Sequence, residues 1–162
     1  MRHAPDSSMS DIKRILVPTD FSPTADAALV YAIDLAAKLG ASVSLVHVFD
    51  DPFVVGGVFS GEYVPMPQEM REEILQDLRR RLADTVAKHG HSELSPQVLI
   101  GPTARTIVES AQAANADLIV MGTHGRGGIS HVLLGSVAER VVRTAACPVL
   151  TVRRDEHEFV MP

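Results

Sequence analysis

The sequence predicts an α/β protein: a single domain on an open, parallel five-stranded sheet with helices on both faces. Three observations carry this. Short apolar, β-rich segments alternate with segments of helical periodicity, and the alternation ends on a strand, which is the pattern of a parallel sheet. Ile15-Leu16-Val17 and Leu118-Ile119-Val120-Met121 show no polar alternation, as strands covered on both sides require. A length of 162 residues fits one domain, and 46% hydrophobic residues can fill its core.

The elements follow in order. Residues 1–11 read as a loose leader, 12–153 as the domain and 154–162 as a polar tail. The first strand covers 12–18 and closes at Pro18. Ser22-Pro23 signals a helix start, with Ser as the cap and Pro at the first helical position. Ala25, Leu29, Ala32, Ile33 and Ala36 share one face of that helix, and Gly40 ends it. A second strand covers 42–49. Residues 50–67 hold three glycines and three prolines and read as a long loop, expected to be mobile without ligand.

Ile74, Leu78, Leu82 and Val86 recur every four residues, so 68–89 reads as an amphipathic helix stopped by Gly90. Arg71, Glu72, Glu73, Arg79 and Arg80 form its solvated face, and His89 and His91 read as surface residues. A strand at 97–100 precedes a helix opened by Pro102, running to 114, with Ile107, Val108 and Ala111 inward. A strand at 118–121, a helix at 137–145 and a strand at 147–152 complete the chain.

Composition narrows the function. The formal net charge is −5, which disfavours a nucleic-acid or anionic-membrane binder. No apolar run approaches the roughly 20 residues that span a bilayer, and residues 1–10 carry no signal-peptide core. Cys147 is the one cysteine, so there is no internal disulfide, and a reducing cytoplasm is the simplest location.

The most informative segment is 122–136, Gly-Thr-His-Gly-Arg-Gly-Gly-Ile-Ser-His-Val-Leu-Leu-Gly-Ser. A strand runs into it and a helix runs out, an arrangement that aims backbone N–H groups at an anion. Ser136 and Glu139 have the spacing of a capping box, which makes Ser136 the expected cap. There is no Gly-x4-Gly-Lys-Ser/Thr, hence no P-loop lysine, and no Gly-x-Gly-x-x-Gly dinucleotide fingerprint. What stands here is Gly-x2-Gly-x9-Gly-Ser, with glycines at 122, 125 and 135 and serine at 136.

That spacing resembles the ATP-binding signature of the universal stress protein family. Ile15-Leu16-Val17-Pro18-Thr19-Asp20-Phe21-Ser22 resembles the family's opening strand and turn. Ala116-Asp117-Leu118-Ile119-Val120-Met121-Gly122 resembles its fourth strand, and Cys147-Pro148-Val149-Leu150-Thr151-Val152 its closing strand. The resemblance implies a Rossmann-like fold of the adenine nucleotide alpha hydrolase type, strand order 3-2-1-4-5. Such an order has its switch point between strands 1 and 4, where open sheets bind ligands.

The resemblance also implies roles, each beside a plainer reading. Asp20 takes the ribose hydroxyls, or is only a helix-start aspartate. Pro18 and Thr19 wall the pocket, or Pro18 only ends a strand. Val48 reads the adenine edge with its backbone and Met121 packs under the base, or both are core. Gly122 brings the main chain against the ribose. Gly125, Gly135, Ser136 and Val137 surround the phosphates, with Arg126 facing the outer ones or idle at the surface. His124 and His131 lack a zinc pattern; Mg²⁺ would arrive with the nucleotide.

Neither paired metal-binding carboxylates nor a defensible Ser–His–Asp or Cys–His set is present, so no residue is assigned as catalytic. The reading is an ATP-binding stress-response regulator with an unknown protein partner. The alternatives left open are a nucleotide-independent interaction or chaperone-like module of the same fold, and a slow ATPase. The last strand, with Val149, Leu150, Thr151 and Val152, is left at an edge by that strand order, which predicts a homodimer.

Overall fold

The structure is a computed structural model that describes residues 11–51, 65–91, 94–123 and 134–153. Its elements are β1 (Arg14–Pro18), α1 (Pro23–Leu39), β2 (Ser42–Phe49), α2 (Gln68–His89), β3 (Gln97–Ile100), α3 (Thr103–Ala113), β4 (Leu118–Gly122), α4 (Ser136–Thr144) and β5 (Val149–Val152). All pairings are parallel. The order is β3-β2-β1-β4-β5, so the chain winds outward from β1 in one direction, returns to β4 and continues in the other.

Each face of the sheet has its own core. Ile15 and Val17 of β1, Leu45 of β2 and Leu118 and Val120 of β4 pack with α1 and α2 through Ala28, Leu29, Ala32, Leu82 and Val86. Leu16, Val46, Val48, Ile119 and Met121, the alternate residues, pack with α3 and α4 through Ile107, Val108, Ala111, Ala138 and Val141. This alternation is why the β1 and β4 segments are apolar at every position.

The helices end as their sequences dictate. Ser22 caps α1, its Oγ accepting from Ala25 N–H at 3.1 Å, with proline in the first turn. Gly40 and Gly90 close α1 and α2 in left-handed conformations, φ 65° and 70°, where a Cβ is disfavoured. The cap of α3 is borrowed: Pro102 offers no side chain, and Asp50 at the end of β2 accepts from Thr103 N–H at 3.4 Å and Thr103 Oγ1 at 3.3 Å.

Two side-chain placements differ from the sequence reading. The inward residue in the first half of α2 is Leu75 rather than Ile74, because the buried set Leu75, Leu78, Leu82 and Val86 follows a 3-4-4 spacing rather than strict fours. His89 is no surface residue: its side chain is 14% exposed and its Nε2 lies 2.7 Å from Asp26 Oδ1. Lys88 Nζ donates to Asp26 Oδ2 at 2.8 Å, so one carboxylate on α1 ties down the end of α2. Residues 1–10 of the 1–11 leader, the tail at 154–162 and most of the 50–67 loop lie outside the described residues.

Candidate functional site

The site is built where β1 and β4 part. β1 pairs with β2 as far as Pro18↔Val46, but with β4 only at Ile15↔Leu118 and Leu16↔Ile119. The physical cause is Pro18. Thr19 N–H donates to Val46 on the β2 side at 2.8 Å, and Arg14 C=O accepts from Asp117 on the β4 side. Successive residues of a strand face opposite neighbours, so Pro18 faces β4, where it has no N–H to give. Across the seam, Thr123 N–H donates to Val152 on β5 at 3.0 Å. By the same alternation Gly122 presents its N–H and C=O toward β1.

The return of the chain is anchored beside this seam. Thr123 is 2% exposed, and its carbonyl accepts from Gly135 N–H at 2.7 Å. That bond sets the start of α4 against the end of β4. Gly135 is the cap of α4, with φ −70° and ψ 156°, and its carbonyl accepts from Glu139 N–H at 2.8 Å. Ser136 is therefore not the cap, as the capping-box spacing suggested; it is the first helical residue, exposed, and the cap makes no side-chain hydrogen bond. The reason is register: the Thr123–Gly135 bond fixes where helical geometry begins, one residue earlier than the Ser-x-x-Glu pattern implies. Val137 packs partly buried against the α3/α4 core.

The β1–α1 turn supplies the acidic group. Asp20 Oδ1 accepts from Ser22 N–H at 2.9 Å and Thr19 Oγ1 from Phe21 N–H at 3.0 Å. Between them Phe21 has φ 63°. A bulky residue in the left-handed region costs on the order of 1 kcal/mol or more and persists only where surroundings enforce it. The enforcing groups come from two other elements. His47 of β2 stacks on Phe21 with ring centroids 4.6 Å apart, and Arg81 of α2 lies 4.1 Å above the ring. His47 Nδ1 is 2.7 Å from the Thr19 carbonyl, a contact in which the nitrogen is the donor.

Among the residues singled out from sequence, Pro18, Thr19, Asp20, Val48, Met121, Gly122, Gly135, Ser136 and Val137 gather at the carboxyl ends of the strands and the start of α4. The side chains of Val48 and Met121 are core, 8% and 5% exposed in one cluster. Phe49 C=O accepts from Gly101 on the β3 side at 3.1 Å, so the Val48 backbone faces the β1 side, past the last β1–β2 pair. Gly122 has a packing reason of its own: a Cβ there would stand 3.0 Å from Thr24 Cγ2 and 3.1–3.2 Å from the α1 backbone. Gly125, Arg126, His124 and His131 lie outside the described residues.

Sequence reasoning passed over Thr123, His47 and Phe21. Thr123 was signalled by its place directly after an apolar strand, and His47 by being the polar residue within Val46-His47-Val48. Nothing in the sequence marks the φ of Phe21. A cavity of about 520 Å³ lies elsewhere, between α1 and α2, lined by Phe21, Pro23, Asp26, Leu29, Thr85 and Lys88 among others. It shares Thr19 with the seam but not Asp20, Val48, Met121 or Gly122, so we place the candidate site at the seam.

Asp26 and Cys147 titrate away from their ordinary values. Burial pushes the Asp26 carboxyl up, but hydrogen bonds from Lys88 and His89 outweigh it and hold it below its ordinary value. Burial pushes the half-buried Cys147 thiol up, the state of an inert rather than a reactive cysteine. Among the described residues, no group of three or more His, Cys, Asp or Glu is placed to hold a metal ion.

A family model described as "Universal stress protein family" matches residues 11–153. The chain belongs to the universal stress protein family. This universal stress protein is 37% identical over 146 residues to a Methanocaldococcus jannaschii universal stress protein, covering 90% of this chain and 85% of the relative. Among solved structures it is similar to a second M. jannaschii protein, whose biochemical function was assigned from structure. That match has a TM-score of 0.74 at 27% identity and covers 91% of this chain and 99% of the other. It also shares its fold with an Archaeoglobus fulgidus universal stress protein solved in complex with dAMP, TM-score 0.62 at 23% identity, covering 88% and 98% of the two chains. Among the described residues no helix is long and apolar enough to cross a membrane.

Proposed function

We propose that this universal stress protein binds an adenine nucleotide, ATP, at the β1–β4 seam and acts as a nucleotide-dependent regulator of a stress response in the cytoplasm. One observation carries the reading. Pro18 ends the β1–β4 ladder, Gly122 turns its backbone into the gap, and the Thr123–Gly135 bond brings a helix start to the same place. That is a switch point of an open parallel sheet with an anion-favouring helix end beside it. The dAMP complex of the A. fulgidus family member supports adenine nucleotides as the ligand class.

The residues present suit the nucleoside half: a carboxylate at Asp20 for ribose hydroxyls and main-chain groups at Val48 and Gly122. Ser136 and Val137 offer N–H groups and one hydroxyl to phosphates, Gly135 gives access to them, and Gly125 and Arg126 are further phosphate contacts. Mg²⁺ would be carried on those phosphates. The test is calorimetric titration of the purified chain with ATP, ADP, AMP and adenosine, alongside analysis of nucleotide released on denaturation. Micromolar binding of ATP supports the reading. No binding of any of the four, and none released, overturns it in favour of a nucleotide-independent interaction module.

A further inference from the structure

We infer that His47 is a positioning residue for the nucleoside half of the site, acting through Phe21 on the turn that carries Asp20; the role rests on the nucleotide reading above. His47 is the one side chain that touches the turn twice among the contacts described. Its Nδ1 donates to the Thr19 carbonyl at 2.7 Å, and its ring packs on Phe21 at 4.6 Å. Thr19 is where β1 stops: its N–H still belongs to the sheet, bonded to Val46 at 2.8 Å, while its carbonyl is taken by a side chain. The histidine thus caps the strand and starts the turn at the same atom.

The consequence runs two residues further. With φ at 63°, Phe21 reverses the chain and sends its ring back over His47, against the α1/α2 face. Arg81 lies 4.1 Å over the same ring. Without a neighbour holding that ring, a phenylalanine relaxes to negative φ, and the Ser22 N–H then leaves Asp20 Oδ1, which it meets at 2.9 Å. Asp20 therefore keeps its carboxylate in one orientation because β2 and α2 hold the residue after it. His47 comes from β2 one residue before Val48, so the strand whose main chain faces the base also fixes the group assigned to the ribose.

The experiment separates the ring from the donor. His47→Phe keeps the stack and removes the donor; His47→Gln keeps a donor. Phe21→Gly accepts the left-handed backbone without strain and removes the ring. Adenosine affinity is measured by calorimetry, and Ser22 amide exchange by NMR in the ligand-free chain, with amides of β5 as a distant control. We expect His47→Gln and Phe21→Gly, which both remove the stack, to lose about tenfold in adenosine affinity, the effect of one hydrogen bond, with faster exchange at Ser22 and no change at β5. His47→Phe, which keeps the stack, should retain most of both. Wild-type affinity and Ser22 protection in His47→Gln and Phe21→Gly overturn the role while leaving the nucleotide reading intact. A wild-type chain that binds no adenosine overturns both.

Discussion

Gly122 stands where Thr24 leaves no room for a side chain. A Cβ on Gly122 would approach Thr24 Cγ2 at 3.0 Å, Thr24 C at 3.1 Å and Ala25 N at 3.2 Å. The first turn of α1 therefore lies directly against the end of β4. A glycine that sequence alone assigns to ligand approach is demanded first by helix packing.

Gly122→Ala should destabilise the chain by about 1–3 kcal/mol, the cost of overpacking where the first turn of α1 must shift by a few tenths of an ångström. It should also weaken adenosine by moving α1 away from the seam. Urea denaturation of the two proteins checks the first expectation; an unchanged midpoint would show that Thr24 and Ala25 move aside freely.

Asp20→Ala should weaken ATP, ADP, AMP and adenosine to the same degree, about tenfold or more for a hydrogen bond to a charged group, because ribose is common to all four. Asp20→Asn keeps an oxygen for Ser22 N–H and should preserve the turn while still losing ribose affinity. Calorimetry with the four ligands reads both, and a loss confined to ATP would assign Asp20 elsewhere.

Ser136→Ala should act on phosphorylated ligands and spare adenosine. Since Gly135, not Ser136, caps α4, the change in stability should stay within about 0.5 kcal/mol, as for an exposed position without a capping role. A drop of a full cap's worth, about 1 kcal/mol, would mean that Ser136 does serve the helix end.

Asp26 predicts an acid-side effect. Its carboxyl lies below its ordinary value of 3.8 in the folded chain. A depressed carboxylate adds stability that is present above the unfolded value and lost as pH falls through the folded one. The urea midpoint of Asp26→Asn should therefore fall below wild type at pH above the ordinary carboxyl value of 3.8 and converge on it only as pH falls below that value. A constant gap across that window would assign the effect to packing rather than to the Lys88–Asp26–His89 tie.

The proposed homodimer has a sharper test than a charge at Leu150, whose side chain packs on the α1/α2 core. Ile119 and Thr123 donate to Pro148 and Val152, so those alternate residues face β4, while Val149 and Thr151 turn their N–H and C=O to the open edge. Thr151→Pro removes one outward N–H and leaves the β4 ladder whole. It should convert a sedimenting dimer to a folded monomer; an unchanged dimer would place the contact away from β5.

The sequence by itself determined the element order, the parallel class, both ends of α1 and the close of α2. Those properties are local or periodic: apolar runs at Ile15-Leu16-Val17, the Ser22-Pro23 start, and Gly40 and Gly90 in left-handed closures. The strand order 3-2-1-4-5 and the location of the seam were legible only through family resemblance, since periodicity does not say which strands are neighbours. Tertiary structure alone decided the rest. The cap of α4 passed from Ser136 to Gly135 because a carbonyl twelve residues earlier, on Thr123, sets where the helix begins. His89 left the surface because Asp26 on another helix reaches it at 2.7 Å. Phe21 took a backbone conformation its own residue type resists because β2 and α2 hold its ring. In each case the deciding partner lies far along the chain or in another element, where no local pattern can record it.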